Sequence, residues 1–122
     1  MRAFGLILLG LSASLVGCGP DCESTCNTLY QEAECNLQSA GYQRSELLLQ
    51  CNDECEKALQ NPGDVRPGYD PYEYTPTSDD QVTFTNDSEV ALWMECVAET
   101  SCDLMGVNAN NEGTPGYCAP VW

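Results

Sequence analysis

The chain has 122 residues, 43% of them hydrophobic, with nine Cys, no His and a formal net charge of −15 from 19 acidic residues against four Lys or Arg. Every acidic residue lies beyond Cys18, whereas Arg2 lies before it, so the body past residue 17 is one charge more negative than the whole. Such a surface has no basic patch with which to displace phosphate counterions, which excludes the usual routes to nucleic acid, and it is repelled by anionic headgroups. Without His, Ser-His-Asp and Cys-His catalysis are impossible and the commonest metal ligand is missing.

The N-terminal segment has a positive residue, Arg2, followed by an apolar run from Leu6 to Val16 that is too short to span a bilayer. It ends in Leu15-Val16-Gly17-Cys18, which resembles the lipobox of bacterial lipoproteins. The resemblance implies a signal peptide over 1–17, cleavage before Cys18, a diacylglycerol thioether on the Cys18 thiol and acylation (typically palmitate) of the new N-terminus. By the sorting rule of many Gram-negative bacteria, Gly19 in place of Asp implies the outer membrane, with the protein facing the periplasm or the cell surface. An ordinary secretory signal cut near Ser14, or an uncleaved apolar anchor, is the competing reading. Each buried CH₂ of a lipid contributes ~0.8 kcal/mol, so two or three acyl chains hold a protein far more firmly than one. The tether is residues 18–21, and Gly19 to Asp21 reach only about 10 Å when extended.

Residues 22–122 read as one disulfide-rich, mostly α domain: an antiparallel helical hairpin clamped by disulfides, a third helix, and long irregular loops. Cys22, Cys26, Leu29, Tyr30 and Ala33 recur at helical spacing, with Asp21 or Pro20 placed to start the run. Gln38 to Gly41 form a connection. Leu47, Cys51, Cys55 and Leu59 follow a four-residue step, with Ser45 as N-cap and Pro62-Gly63 as the stop. Each Cys-x-x-x-Cys places two thiols on one helix face. Antiparallel helices then predict Cys22–Cys55 and Cys26–Cys51.

From 60 to 81 the chain is rich in Pro, Asp and Tyr, with Tyr69, Tyr72 and Tyr74 interleaved among carboxylates. A loop of this length is either a surface linker or a tyrosine-rich binding loop, since tyrosine supplies contact area with few rotors. Val82 to Thr85 alternates like a short strand with nothing to pair with, and serves as a plug between helices. A third helix has Asp87 or Ser88 as its N-cap, carries Glu89 in its first turn and presents Val90, Trp93, Met94, Val97 and Ala98 as an apolar face. Elimination leaves Cys35–Cys96 to tie this helix to the hairpin and Cys102–Cys118 to close the tail, which ends in Trp122, a residue expected to pack on the body.

The candidate chemistry is sparse. Eight cysteines remain for pairing once Cys18 is set aside, which disfavours thiol redox or zinc roles. Asp79, Asp80, Asn86 and Asp87 cluster before the third helix but do not follow an EF-hand order, so they make a weak cation site and no metal is assigned. Arg44, at the tip of a clamped hairpin, is the residue a trypsin-like protease would engage if the chain were an inhibitor; otherwise it balances local acids. The twin Cys-x-x-x-Cys hairpin with Trp93-Met94-Glu95-Cys96 and Ser101-Cys102 resembles small cysteine-rich lipoproteins of Gram-negative soil bacteria, most of them without a known activity. The hairpin alone is similar to plant helical-hairpin inhibitors and to mitochondrial twin Cys-x-x-x-Cys proteins. The expectation is a non-catalytic, lipid-anchored envelope module that binds or supports a protein partner, with no cofactor, no small-molecule substrate and no nucleic acid. A protease inhibitor and an acidic calcium-binding surface protein are the alternatives.

Overall fold

A computed structural model describes residues 19–39, 41–72, 84–106 and 116–118. The order of elements is α1 (Cys22–Tyr30), α2 (Arg44–Leu59), α3 (Asp87–Glu99) and a single turn, α4 (Cys102–Met105). The fold is mostly helical, as the periodicity predicts, and the described residues contain no strand.

Asp21 starts α1. Its carboxylate accepts from the Ser24 backbone N–H at 2.7 Å, and the Ser24 hydroxyl oxygen accepts from Asp21 N–H at 3.1 Å, a reciprocal capping box. The bond from Ser24 N–H holds the Asp21 carboxyl below its ordinary range. The helix buries Cys22, Thr25, Cys26, Leu29 and Tyr30, then stops at Tyr30, short of the Ala33 that the periodicity suggests. Ala33 lies exposed in a turn. The chain folds back instead: Cys35 N–H donates to Thr28 O at 3.0 Å and Leu37 N–H to Leu29 O at 2.8 Å, with Asn36 in the left-handed region at φ 49°. Those bonds satisfy carbonyls that any helix end leaves open, and they place Cys35 and Leu37 in the core.

Helix α2 begins at Arg44, before the predicted Ser45 cap, because Glu46 reaches back to accept from the Gln43 backbone N–H at 2.7 Å. Its inner face is Leu47, Cys51, Cys55 and Ala58. Leu59 is exposed instead of buried, because four-residue steps outrun the 3.6-residue turn and the stripe drifts until residue 58 faces inward. Helix α3 is capped by Asn86, one residue before the predicted positions, with Asn86 Oδ1 accepting from Glu89 N–H at 2.9 Å. Val90, Trp93, Met94, Cys96 and Val97 are buried; Ala98 is exposed. Phe84 belongs to no strand and plugs the core against Trp93, with ring centroids 4.5 Å apart. Val82, Thr83 and Trp122 lie outside the described residues.

Both hairpin disulfides form as predicted, Cys22–Cys55 with Cα atoms 5.8 Å apart and Cys26–Cys51 with 5.9 Å. The other two correct the pairing by elimination: Cys35 joins Cys102 and Cys96 joins Cys118, in place of Cys35–Cys96 and Cys102–Cys118. The cause is the break between α3 and α4. Thr100 is extended, so Cys102 opens a new turn that swings to Cys35, whose Sγ lies 3.9 Å from the buried Met105 Sδ. Cys96, on the preceding helix, faces the segment where Cys118 is held by two bonds, from its N–H to Pro71 O at 2.7 Å and from Trp93 Nε1–H to its own carbonyl at 2.7 Å.

Candidate functional site

Cys18 lies outside the described residues, and the first described element after it is α1. Gly19 and Pro20 precede Asp21, which caps α1, and Cys22 is already bridged to Cys55. Pro20 lies beside Ala91, Met94 and Ala98 of α3, lining a shallow groove with them.

Arg44 takes a role that its position at the hairpin tip does not suggest. Arg44 Nε donates to Tyr30 O at 3.0 Å, Nη2 donates to Asn36 Oδ1 at 2.8 Å, and Nη1 lies 3.8 Å from the Glu32 carboxylate. Tyr30 O is the last carbonyl of α1, so the guanidinium supplies a cationic cap at the negative end of that helix while its own backbone opens the next one. An inhibitory site needs an extended backbone with its side chain presented outward. A helical residue bonded back onto α1 does not favour that reading.

Of the proline- and tyrosine-rich segment 60–81, residues 73–81 lie outside the described residues. Residues 61–66 are sewn onto the start of α3. Asp87 N–H donates to Asn61 O at 3.0 Å, Gly63 N–H to Asp87 Oδ1 at 3.1 Å, and Asn86 Nδ2 to Asp64 O at 2.8 Å. Gly63 packs so closely here that a Cβ would meet the Asn86 side chain at 3.1 Å. The centre of the seam is Glu89, fully buried. One carboxylate oxygen accepts from Arg66 N–H at 3.0 Å and Arg66 Nε at 2.8 Å; the other accepts from Thr85 N–H at 2.8 Å and the Thr85 hydroxyl at 3.0 Å. Desolvation pushes this carboxyl up, yet the backbone and side-chain bonds from Arg66 and Thr85 outweigh it and hold it below its ordinary value of 4.5. Sequence reasoning places Glu89 in a first helical turn but misses its burial. The available signal is scarcity alone: with so few basic residues, Arg66 is one of the few counter-ions the chain offers, but it lies 23 residues before Glu89 and spacing does not pair them.

Of the three tyrosines, Tyr69 is buried under the Arg66 guanidinium, 5.5 Å from the ring centroid, and burial raises its hydroxyl pKa. Tyr72 is partly exposed and donates its hydroxyl to Glu99 Oε2 at 3.0 Å; desolvation and that bond push it up to about 12. Tyr74 lies outside the described residues. These contacts make Tyr69 a core residue and tie the hydroxyl of Tyr72 to α3, while the Tyr72 side chain stays exposed.

The cation cluster does not assemble among the described residues. Asp79 and Asp80 lie outside them, Asn86 is used as cap and seam, and Asp87 Oδ1 accepts from Gly63 N–H and, at 2.8 Å, from Ser88 N–H. Among the described residues no three Asp, Glu or Cys side chains come together in a way that would hold a metal, nor is any described helix long and apolar enough to cross a membrane. No protein-family model matches the chain, and no curated protein or solved structure does so.

Proposed function

We propose that this chain is a lipid-anchored, non-catalytic module of a bacterial envelope, held at the membrane through Cys18 and presenting a compact acidic body for binding or structural support. The observation that carries this reading is the distribution of the cysteines. Four disulfides use Cys22, Cys26, Cys35, Cys51, Cys55, Cys96, Cys102 and Cys118, so none of these partners remains for Cys18. Disulfides persist in oxidising, exported compartments, which agrees with an export segment ahead of Cys18. The short span from Cys18 to the Asp21 cap keeps the body within about 10 Å of its attachment point. Because the body is strongly acidic, the lipid alone supplies the attraction to an anionic surface.

The test is expression of the full chain in a Gram-negative host, followed by fractionation and intact mass measurement of the N-terminal peptide. The expected result is an N-terminus at Cys18 carrying acyl chains and a protein that sediments with membranes, while Cys18→Ala yields an unacylated protein. A mature N-terminus elsewhere, or an unmodified Cys18 thiol, overturns the reading.

A further inference from the structure

Helix α2 has a second patterned face. Opposite the core stripe, Ser45, Leu48, Leu49, Asn52, Asp53 and Glu56 follow helical steps of three and four and line a shallow, widely open groove along the outer side of this one helix. Leu49 is 73% exposed, the most exposed of the large apolar side chains among the described residues, and Leu48 beside it is only partly covered by the core. A single exposed leucine is ordinary. Two adjacent leucines on the outer face of α2, with Asp53 and Glu56 beside them, form the complement of an amphipathic helix whose apolar face is flanked by cations.

We propose that the outer face of α2 is a docking site for a cationic amphipathic helix, a peptide segment with leucine-like residues on one face and Lys or Arg beside them. Charge selects this occupant. The chain is strongly acidic, and the cations nearest the groove are already engaged: Arg44 on Tyr30 O and Asn36, and Lys57 at 2.8 Å from Asp53 and 3.7 Å from Glu54. A second copy would bring Asp53 and Glu56 against the same carboxylates and one strongly negative body against another. An anionic lipid surface is repelled for the same reason. A basic helix instead gains steering from the whole field and apolar burial on Leu48 and Leu49. The Lys57–Asp53 pair is solvent-exposed and weak, so an incoming cation displaces it readily. The site does not depend on whether Cys18 is acylated.

The probe is a synthetic helical peptide of Leu and Lys at amphipathic spacing, titrated calorimetrically into the purified, oxidised protein. Leu49→Ser is expected to weaken binding about tenfold and Glu56→Gln about threefold, while Lys57→Gln, which removes the internal competitor, tightens it about twofold. Leu104→Ser and Glu23→Gln, exposed positions off the groove, leave it unchanged. Absence of binding, or binding that Glu23→Gln weakens as much as Leu49→Ser does, overturns the proposal in favour of diffuse charge attraction. Self-association in sedimentation, or binding to zwitterionic vesicles, that Leu49→Ser abolishes overturns it in favour of a second copy or a lipid surface.

Discussion

The helical hairpin and the α3 half solve the same problem by different means. The hairpin is a local object: two helices, a short connection, two disulfides at matched Cys-x-x-x-Cys spacings and an arginine that closes the end of one helix from the start of the next. The α3 half is assembled from distant pieces. Glu89 gathers Arg66 and Thr85, Trp93 holds Cys118, and Cys118 in turn holds Pro71. A domain of this size has little core to spare, and both halves carry covalent clamps, Cys96–Cys118 in the α3 half and Cys35–Cys102 between the two; the contrast is that the hairpin's clamps follow local spacing while the α3 half adds a buried carboxylate network.

That contrast can be broken most severely at Glu89. Glu89→Ala removes the carboxylate that two backbone N–H groups, the Thr85 hydroxyl and Arg66 Nε share, at an expected cost of about 3–5 kcal/mol. Urea denaturation measures the loss, and hydrogen exchange should show residues 61–72 and the start of α3 opening while hairpin amides stay protected. Uniform loss of protection across both halves would show that they are one cooperative unit. The next largest effect is in the hairpin: Cys26→Ser with Cys51→Ser should cost about 2–4 kcal/mol and deprotect α1 before α3.

Acid should separate the halves without any mutation. Because the folded Glu89 carboxyl lies below its ordinary 4.5, its contribution is fully present above that pH and is lost as pH falls through the folded value. Urea midpoints recorded from neutral pH downward should therefore fall below about pH 4.5, and Glu89→Gln should flatten that dependence while lowering stability at neutral pH. Asp21 gives the hairpin a dependence of the same sign, weaker because its carboxylate sits in water.

Smaller still is Arg44→Ala, expected to cost about 1 kcal/mol through loss of the cap on Tyr30 O. Arg44→Lys should recover only part of it, since one ammonium does not reproduce the forked contacts to Tyr30 O and Asn36. Thermal melts resolve both. Least affected is Tyr72→Phe, which removes a half-exposed bond to Glu99 and should change stability by under about 1 kcal/mol.

Much of the hairpin is legible in the residues because its determinants are close in sequence. Cys22, Cys26, Cys51 and Cys55 announce both their faces and their partners, and Pro20-Asp21 marks the start of α1 to within a residue. Boundaries are less legible: Ala33 and Leu59 continue the apolar pattern, yet the chain leaves the helix or the stripe drifts away from them. The remaining disulfides were beyond reach of spacing, since nothing local reveals that Thr100 breaks α3 from α4 and sends Cys102 to Cys35. Likewise, the tyrosine-rich segment reads as a surface loop until the fold brings Arg66 onto Glu89 and buries Tyr69.

By itself, then, the sequence determines the helical class, the clamped hairpin, the strongly acidic body and the apolar segment ending at Cys18, because helical period, charge and cysteine spacing act over a few residues. Only the tertiary structure decides which distant thiols meet, which acid is buried, that Arg44 turns inward and that Leu48 and Leu49 stay on the outer face of α2. Those outcomes depend on where separate segments come to rest against one another, and a buried group is stabilised only by the partners that packing brings to it.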